Sequence, residues 1–413
     1  MSPHERFLSL FLSQTMDDLN KTTMPSTIKL SDACSVGEDL NINRFFVGRE
    51  HEIKRALEAI QEKRVVLVDG SVMTGKSYFV LKCFEQLGIN IQAPTRLAFD
   101  ESAQAGQMGV YCSLKEDYSK NPLFENVIVS ILQGSGDYHG LISLLPSASL
   151  RREFIQETMS FYVSENDIPI PPKSRLEAAL RLFEDVVDQL KNVQSDGFCL
   201  VICLDELKAR EMDTYFLQFI ERALQIGVQF IITRHTNRHR ENWIEFENKF
   251  PHSEVISIGR MPFSEVNALI DQIEMNIASS FTFNIRSREM IFELSGGLPY
   301  FVHYLCGGAL EMVNDSDYTT IDERVISVLR EIIEKGVLPS VFDSLFQTCS
   351  RSEEQKQQMR NYASLPLSDL AYNESLSLSS TESPIGFLLH EGDDFRLIAS
   401  PPFQVFAKLR LGI

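Results

Sequence analysis

The sequence lacks the long hydrophobic run that a membrane-spanning helix needs. No stretch of its 413 residues approaches about 20 consecutive apolar side chains. The apolar run near the start, residues 7–12, is about half the length of a signal-peptide core, and Glu5 and Arg6 precede it. We therefore expect neither a targeting signal nor a membrane span, and we interpret residues 6–20 as a short helix docked on this chain or on a partner.

Basic residues and metal-binding cysteine patterns are also scarce. There are 39 Lys and Arg residues against 57 Asp and Glu residues, a formal net charge of −18. This balance argues against broad, sequence-independent nucleic-acid binding, which depends on neutralising phosphates, although it leaves room for a local basic patch. The seven cysteines show no metal-ligand spacing, and Cys199 and Cys203 lie in an apolar run as small core residues. Such cysteine usage predicts a reducing, cytoplasmic compartment.

One stretch, from Val65 to Val80, carries a specific chemical pattern. Four consecutive apolar residues, Val65 to Val68, predict a strand buried on both faces. The segment from Gly70 to Ser77 then fits the phosphate-binding loop pattern G-x-x-x-x-G-K-[ST] at every fixed position. Helical spacing follows from Tyr78 to Leu87, so the order is strand, glycine loop and helix, as a phosphate-binding loop requires.

This loop predicts a bound nucleotide with Mg²⁺. Its backbone N–H groups and the helix N-terminus would bind a polyphosphate. Lys76 is predicted to act in catalysis along the β- and γ-phosphates, and the Ser77 hydroxyl to ligate Mg²⁺. The predicted nucleotide-binding residues here are Gly70, Ser71, Val72, Met73, Thr74, Gly75, Lys76, Ser77 and Tyr78.

A pair of acidic residues follows a second apolar run. Seven apolar residues, 198–204, lead into Asp205 and Glu206. This is the form of a buried parallel strand that delivers carboxylates to the ligand-binding edge of an α/β sheet. We predict that Asp205 holds the Mg²⁺ shell and that the catalytic residue Glu206 polarises the water that attacks the γ-phosphate. The pattern is common by itself, and the intact phosphate-binding loop upstream favours this interpretation.

The residues before the loop resemble a known group of ATPases. Val47-Gly48-Arg49-Glu50 precedes a segment of helical periodicity, His51 to Glu62, and then the loop. This arrangement resembles the N-terminal motif of the STAND and origin-recognition branches of the AAA+ P-loop ATPases. The resemblance implies that Val47, Gly48 and Arg49 lie by the adenine and that the cofactors are ATP and ADP. The alternative is a helix-capping turn without functional meaning.

A later strand is similar to one in STAND ATPases, including the NB-ARC group. The run from Val228 ends in Thr233-Arg234. The resemblance implies that Arg234 lies near the γ-phosphate as a catalytic sensor of ATP against ADP; the alternative is a surface arginine. A further hypothesis is that Arg238 and Arg240, in a local basic cluster, meet a neighbouring subunit's phosphate as an arginine finger.

Gly297-Leu298-Pro299 resembles the Gly-Leu-Pro motif of STAND lids. In that family the proline packs on the nucleotide, which implies a nucleotide contact for Pro299. Origin-recognition ATPases carry an arginine near this point. None lies between Glu293 and Leu310 here, so the STAND branch is favoured.

The predicted fold is an α/β P-loop NTPase core with a parallel sheet, then a helical lid and a winged-helix domain. The domains are an N-terminal extension (1–44), the ATPase core (45–259), the lid (260–318) and the winged helix (319–413). We predict further strands at 109–114 and 254–258, and Ser264 as the N-cap of a helix through 277, after which strands stop until the winged helix. Other predicted elements are helices at 122–133, 174–192, 321–335, 340–348, 353–364 and 402–409, a hairpin at 386–398, and an insertion at 134–173 with one helix around 148–163.

These observations predict a STAND-type, slowly hydrolysing ATP switch whose output is self-assembly or engagement of a protein partner. The alternative is a DNA-acting AAA+ ATPase, such as a replication or transposition regulator. Residues 319–413 carry nine basic and thirteen acidic side chains, which disfavours DNA as the partner. His390 is interpreted as a surface histidine of the wing rather than as a phosphate sensor.

Overall fold

The computed structural model describes most of the chain between residues 46 and 327 and three short segments beyond it. The described ranges are 46–70, 74–91, 97–99, 107–114, 124–135, 138–160, 172–193, 198–207, 214–234, 240–276, 281–313, 319–327, 353–364, 407–408 and 410–411. They form two compact units. We call Arg49–Gly70 with Lys76–Ser257 the sheet unit, and the remaining described residues the helical unit.

The sheet unit is built on a six-stranded sheet of order β2-β3-β6-β7-β1-β8. Neighbours from β3 to β8 in this order pair in parallel, as predicted, and β2 pairs antiparallel with β3. The edge strand β2 was not predicted, because three residues are too few to show an alternating pattern. The strands are β1 Val66–Asp69, β2 Leu97–Phe99, β3 Gln107–Ser113, β6 Cys199–Leu207, β7 Gln229–Arg234 and β8 Glu254–Ser257.

Helices cover both faces of this sheet because the central strands are apolar on both sides. On one face, Leu67, Ile202 and Ile232 join a large buried cluster with the apolar stripe of α5. On the other, α2 buries Phe79, Val80, Cys83 and Phe84. The helices are α1 Glu50–Gln61, α2 Lys76–Gln86, α3 Phe124–Gln133, α4 Ala148–Ser160, α5 Pro172–Val193, α6 Thr214–Gln225 and α7 Arg240–Lys249.

The predicted insertion contains more structure than one helix. The expected helix is present as α4, but it is preceded by a two-residue hairpin, β4 Gly134–Ser135 with β5 Tyr138–His139, and by a 3₁₀ turn, Leu141–Leu144. Leu141 and Ile142 of this turn are fully buried in the main apolar cluster. This part of the predicted insertion is therefore packed into the core of the sheet unit.

The helical unit is centred on α8 Phe263–Asn276, α9 Ile285–Ser295 and α10 Pro299–Val313. Two predictions here are wrong. Ser264 lies inside the first turn of α8 rather than at its N-cap. Strands also do not stop at residue 261, since β9 Thr282–Phe283 pairs in parallel with β10 Thr320–Ile321; runs of two residues leave no periodic signal.

Only a small part of the predicted winged helix lies within the described residues. The helix predicted at 353–364 is present as α11 Glu353–Ala363, and residues 323–327, 407–408 and 410–411 are helical. The hairpin at 386–398, the helix at 340–348 and His390 lie outside the described residues, as does the N-terminal extension. Among the helices that the structure describes, none has the length and apolar character to cross a membrane.

Candidate nucleotide-binding site

The predicted phosphate-binding loop lies between the end of β1 and the start of α2, so the expected order of strand, loop and helix is confirmed. Lys76, the first residue of α2, is only 6% exposed, and its Nζ donates to the carbonyl oxygen of Gly70 at 2.7 Å. Gly75 has φ +90°, in the left-handed region that favours glycine. The loop therefore keeps the lysine ammonium against its own backbone. Ser71, Val72 and Met73 lie outside the described residues.

Ser77 and Asp205, predicted as Mg²⁺ ligands, are in direct contact although 128 positions separate them. The Ser77 hydroxyl donates to Asp205 Oδ2 at 2.8 Å. Asp205 is 3% exposed near the carboxyl end of β6, in the middle of the parallel strands. Parallel strand order thus brings a hydroxyl and a carboxylate to one point at the ligand-binding edge of the sheet.

Two further hydroxyls bind the same carboxylate. Tyr111 in β3 donates to Asp205 Oδ2, and Thr233 in β7 donates to Asp205 Oδ1 at 2.5 Å. Burial raises the pKa of Tyr111 well above its ordinary value, and the Asp205 charge adds to this effect, so the phenol stays protonated as a donor. Neither residue was singled out as a partner of Asp205 in the sequence, where each reads as one more position of a buried strand.

Arg234 is a buried residue with several partners. It is 7% exposed, its Nε and Nη2 donate to the two oxygens of Asp69, and its Nη1 donates to Glu247 at 2.9 Å. Its guanidinium carbon lies 4.5 Å from the centre of the Trp243 ring. Burial by itself would lower the pKa of Arg234, but the hydrogen bonds and charges of Asp69 and Glu247 raise it.

This burial excludes the surface-arginine alternative, while the γ-phosphate sensor role stays a prediction. Asp69 is the last residue of β1 and pairs in register with Arg234 on β7. The ion pair therefore lies where β1 ends and the predicted phosphate-binding loop begins. Arg238 lies outside the described residues. Arg240 begins α7, and its side chain is outside the described part.

Glu206 follows Asp205 within β6, at an irregular point of the sheet. The pairing of β6 with β7 changes register between Leu204 and Leu207, which marks a β-bulge around the two carboxylates. Bulges occur next to active sites, where they redirect a side chain. The side chain of Glu206 is outside the described part of the chain, so its role as general base stays a prediction.

The remaining candidate residues include a left-handed turn before α1. Gly48 has φ +75° and Arg49, the residue before α1, has φ +68°. In the helical unit, a Cβ added at Gly48 would lie 2.8 Å from Glu265 Cδ, and Val47 packs against that unit's apolar cluster. The Arg49 guanidinium lies 3.8 Å from a Glu52 carboxylate oxygen.

Pro299 begins α10, where its missing N–H costs nothing. Within the helical unit, an added Cβ at Gly75 would lie 3.9 Å from Pro299 Cγ, so the proline and the loop glycine are neighbours. Gly297 has φ +73°, and a Cβ there would lie 2.3 Å from the carbonyl oxygen of Met261. The Gly-Leu-Pro segment therefore requires glycine at its first position for both backbone conformation and space.

Tyr78, on α2, has its pKa raised to about 12 by burial.

The donor atoms fit Mg²⁺ and a polyphosphate. Mg²⁺ in nucleotide sites takes one or two carboxylates, hydroxyl and water oxygens, and substrate phosphates, and Ser77 with Asp205 supplies such a pair. Across the described ranges, no group of three or more His, Cys, Asp or Glu side chains is placed to hold a metal ion.

Comparison with known proteins finds a likeness in structure. No family model matches the chain, and no curated protein matches its sequence. The Walker-type ATPase PABY2304 of Pyrococcus abyssi is similar, with a TM-score of 0.50 and 14% identity over 88% of this chain and 96% of that one. The two proteins share a fold. At this identity the likeness extends to the fold and not to the activity.

Two structures of Aeropyrum pernix proteins are also similar over most of their length. ORC2, in ADPNP and ADP complexes, gives a TM-score of 0.47 and 11% identity over 89% of each chain. ORC1, in complex with DNA, gives a TM-score of 0.45 and 12% identity over 84% of this chain and 86% of that one.

Proposed function

We propose that this protein binds and slowly hydrolyses ATP as a STAND-type molecular switch. The observation that supports it most is the contact between Ser77 and Asp205 at 2.8 Å, next in sequence to a buried Lys76 held against the loop backbone. A chance glycine turn before a lysine would have no reason to place its serine on a buried carboxylate of a distant strand. Burying that carboxylate costs folding free energy, and a binding site for Mg²⁺ and phosphate would give the buried charge a function.

In this proposal each residue has a separate task. Lys76 would neutralise charge on the β- and γ-phosphates, while Ser77 and Asp205 would hold Mg²⁺, which would supply charge neutralisation at the phosphate oxygens. Glu206 orients the attacking water and accepts its proton. Pro299 would contact the nucleotide, and Val47, Gly48 and Arg49 would lie by the adenine.

The switching step is proposed for Arg234. Its guanidinium is held by Asp69 directly before the phosphate-binding loop, so a γ-phosphate would compete with a carboxylate for the same cation. A charge-assisted exchange of this kind is a local event that can bias a larger movement. We propose that the movement exposes a surface for self-assembly or for a protein partner. Arg234→Ala should then bind ATP without the change in assembly.

Nucleotide binding is tested by thermal unfolding with Mg-ATP. At about 100 times its dissociation constant, Mg-ATP should add roughly 2.7 kcal/mol of stability, a shift of about 5 to 10 °C for a core of this size. Lys76→Ala should abolish the shift. The matched control is Lys82→Ala on the same helix, which pairs with Glu85 at 2.5 Å and should keep it. A full shift in Lys76→Ala would remove the phosphate-binding assignment.

Hydrolysis is tested by separating the two carboxylates. Glu206→Gln should retain Mg-ATP binding and lower turnover by about 100-fold or more, because only water activation is lost. Asp205→Asn should weaken the Mg²⁺-dependent binding itself. Wild-type turnover in both variants would mean that the general base lies elsewhere.

The assembly output separates the switch from the DNA-acting alternative. Sedimentation of the full chain with ADP and then with a slowly hydrolysed ATP analogue should show a nucleotide-dependent change in size. We expect no duplex DNA binding tighter than about 10⁻⁴ M at physiological salt, the weak limit for non-specific binders. Submicromolar, salt-sensitive DNA binding without a change in size would replace the switch with the DNA-acting function.

A further inference from the structure

The Asp205 carboxylate is held from three directions by hydroxyl groups. Tyr111 and Ser77 donate to Oδ2, and Thr233 donates to Oδ1. The donors come from three elements, because β3 and β7 are the two neighbours of β6 in the sheet and α2 carries Ser77. Both oxygens are therefore anchored, and rotation of the carboxylate about its Cβ–Cγ bond would break hydrogen bonds on either side.

The buried hydroxyl of Tyr111 is placed at the polar groups around Asp205. Its side chain is fully buried, and it lies in register with Cys203, two residues before Asp205 on the adjacent strand. A phenylalanine would fill the same apolar volume without a polar atom. A buried tyrosine hydroxyl needs a hydrogen-bond partner, and here that partner is the carboxylate predicted to serve Mg²⁺.

We propose that Tyr111 is a positioning residue for Mg²⁺ binding, which acts by fixing the orientation of Asp205 beside Ser77. The inference rests on the proposed nucleotide-binding function. Groups that hydrogen-bond to a metal-binding carboxylate set its orientation, and their loss costs roughly 10- to 100-fold in metal affinity. Tyr111 is suited to this task because it donates to Oδ2, the same oxygen that accepts from Ser77, so it fixes the oxygen that lies beside the serine.

The test measures how much Mg²⁺ the protein needs to bind nucleotide. A fluorescent ATP analogue is titrated at increasing Mg²⁺ and also in EDTA, using the full chain. Tyr111→Phe should raise the Mg²⁺ midpoint roughly 10- to 100-fold and leave the affinity in EDTA unchanged. Thr233→Val, which removes the anchor on the other oxygen, should raise the midpoint as well. In an Asp205→Asn background, Tyr111→Phe should add nothing.

The control removes a buried hydroxyl elsewhere in the sheet unit. Thr158 on α4 donates to the backbone carbonyls of Phe154 and Ile155 and accepts from Gln133. Thr158→Val should therefore lower thermal stability without moving the Mg²⁺ midpoint. This variant separates loss of a buried hydrogen bond in general from loss of this one.

Each result decides the inference. An unchanged Mg²⁺ midpoint in Tyr111→Phe overturns it, and so does an equal loss of affinity with and without Mg²⁺, or a failure of that variant to fold, because these indicate a purely structural role. Mg²⁺-independent nucleotide binding by the wild type removes the metal site and this inference together. Mg²⁺-dependent binding by the wild type with no effect of Tyr111→Phe removes the inference alone.

Discussion

Replacing Arg234 with methionine removes the cation that lies between Asp69 and Glu247. Asp69 would remain buried at 6% exposure without its two hydrogen bonds from the guanidinium. Breaking a buried ion pair from one side costs roughly 3 to 5 kcal/mol, because the remaining charge is desolvated and uncompensated. The Glu247 side chain is 46% exposed and should contribute little. We expect Arg234→Met to destabilise the sheet unit by about 3 to 5 kcal/mol.

Removing both charges should recover most of that loss. In Asp69→Leu/Arg234→Met, neither ion is left buried, and apolar replacements of similar volume are often close to neutral. The matched control is Arg222→Met, which breaks ion pairs with Glu177 and Glu184 in a more exposed setting. That variant should cost about 1 kcal/mol or less. The contrast isolates the contribution of burial.

The assay is urea unfolding followed by tryptophan fluorescence. The chain has one tryptophan, Trp243, and its ring lies 4.5 Å from the Arg234 guanidinium, so the signal reports on this unit. Equal m-values in all variants would show that the same surface unfolds. A loss below about 1 kcal/mol in Arg234→Met, or a double variant no more stable than the single one, would refute the argument from desolvation.

Two further predictions concern the helical unit. Burial lowers the pKa of His303 to about 4. As pH falls, the unfolded chain therefore binds this proton before the folded chain does, and the free energy of unfolding should decline from about pH 6.5 downward. The decline should reach up to about 2 kcal/mol at pH 5. Denaturation at pH 7 and pH 5 should show a smaller decline in His303→Gln than in the wild type, and an equal decline would contradict this prediction. Gly297→Ala should lower the free energy of unfolding by more than about 2 kcal/mol in denaturation experiments, because an added Cβ would meet the backbone oxygen of Met261. Gly88 also has a positive φ but has open space around it, so Gly88→Ala should cost only about 1 kcal/mol. Equal costs in the two variants would contradict the clash.

The parts of the fold that were predicted are those with a strong local pattern. The wide apolar stripe of α5 and the apolar runs of β1, β6 and β7 identify their own element type. The helices α6 and α7 were not predicted. The strands that were missed are the three-residue β2 and the two-residue pairs β4–β5 and β9–β10. Strands this short are defined by the backbone with which they pair, and their own residues do not indicate which segment that is.

The candidate site also contains residues that a local pattern identifies and residues that only the fold brings together. Gly75, Lys76 and Ser77 are identified by spacing alone, because a phosphate-binding loop is a continuous segment whose chemistry depends on local backbone geometry. The pairing of Ser77 with Asp205 follows once both are placed at the carboxyl edge of one sheet.

Only the tertiary structure decided which groups surround these residues. Tyr111 lies 94 positions from Asp205, and Arg234 lies 165 positions from Asp69, yet both pairs are in contact. They meet because β6 lies between β3 and β7, and β7 lies between β6 and β1. That order is a property of the whole sheet. No periodicity within a single strand encodes it, so an arginine that the sequence left open as a surface residue is buried between carboxylates.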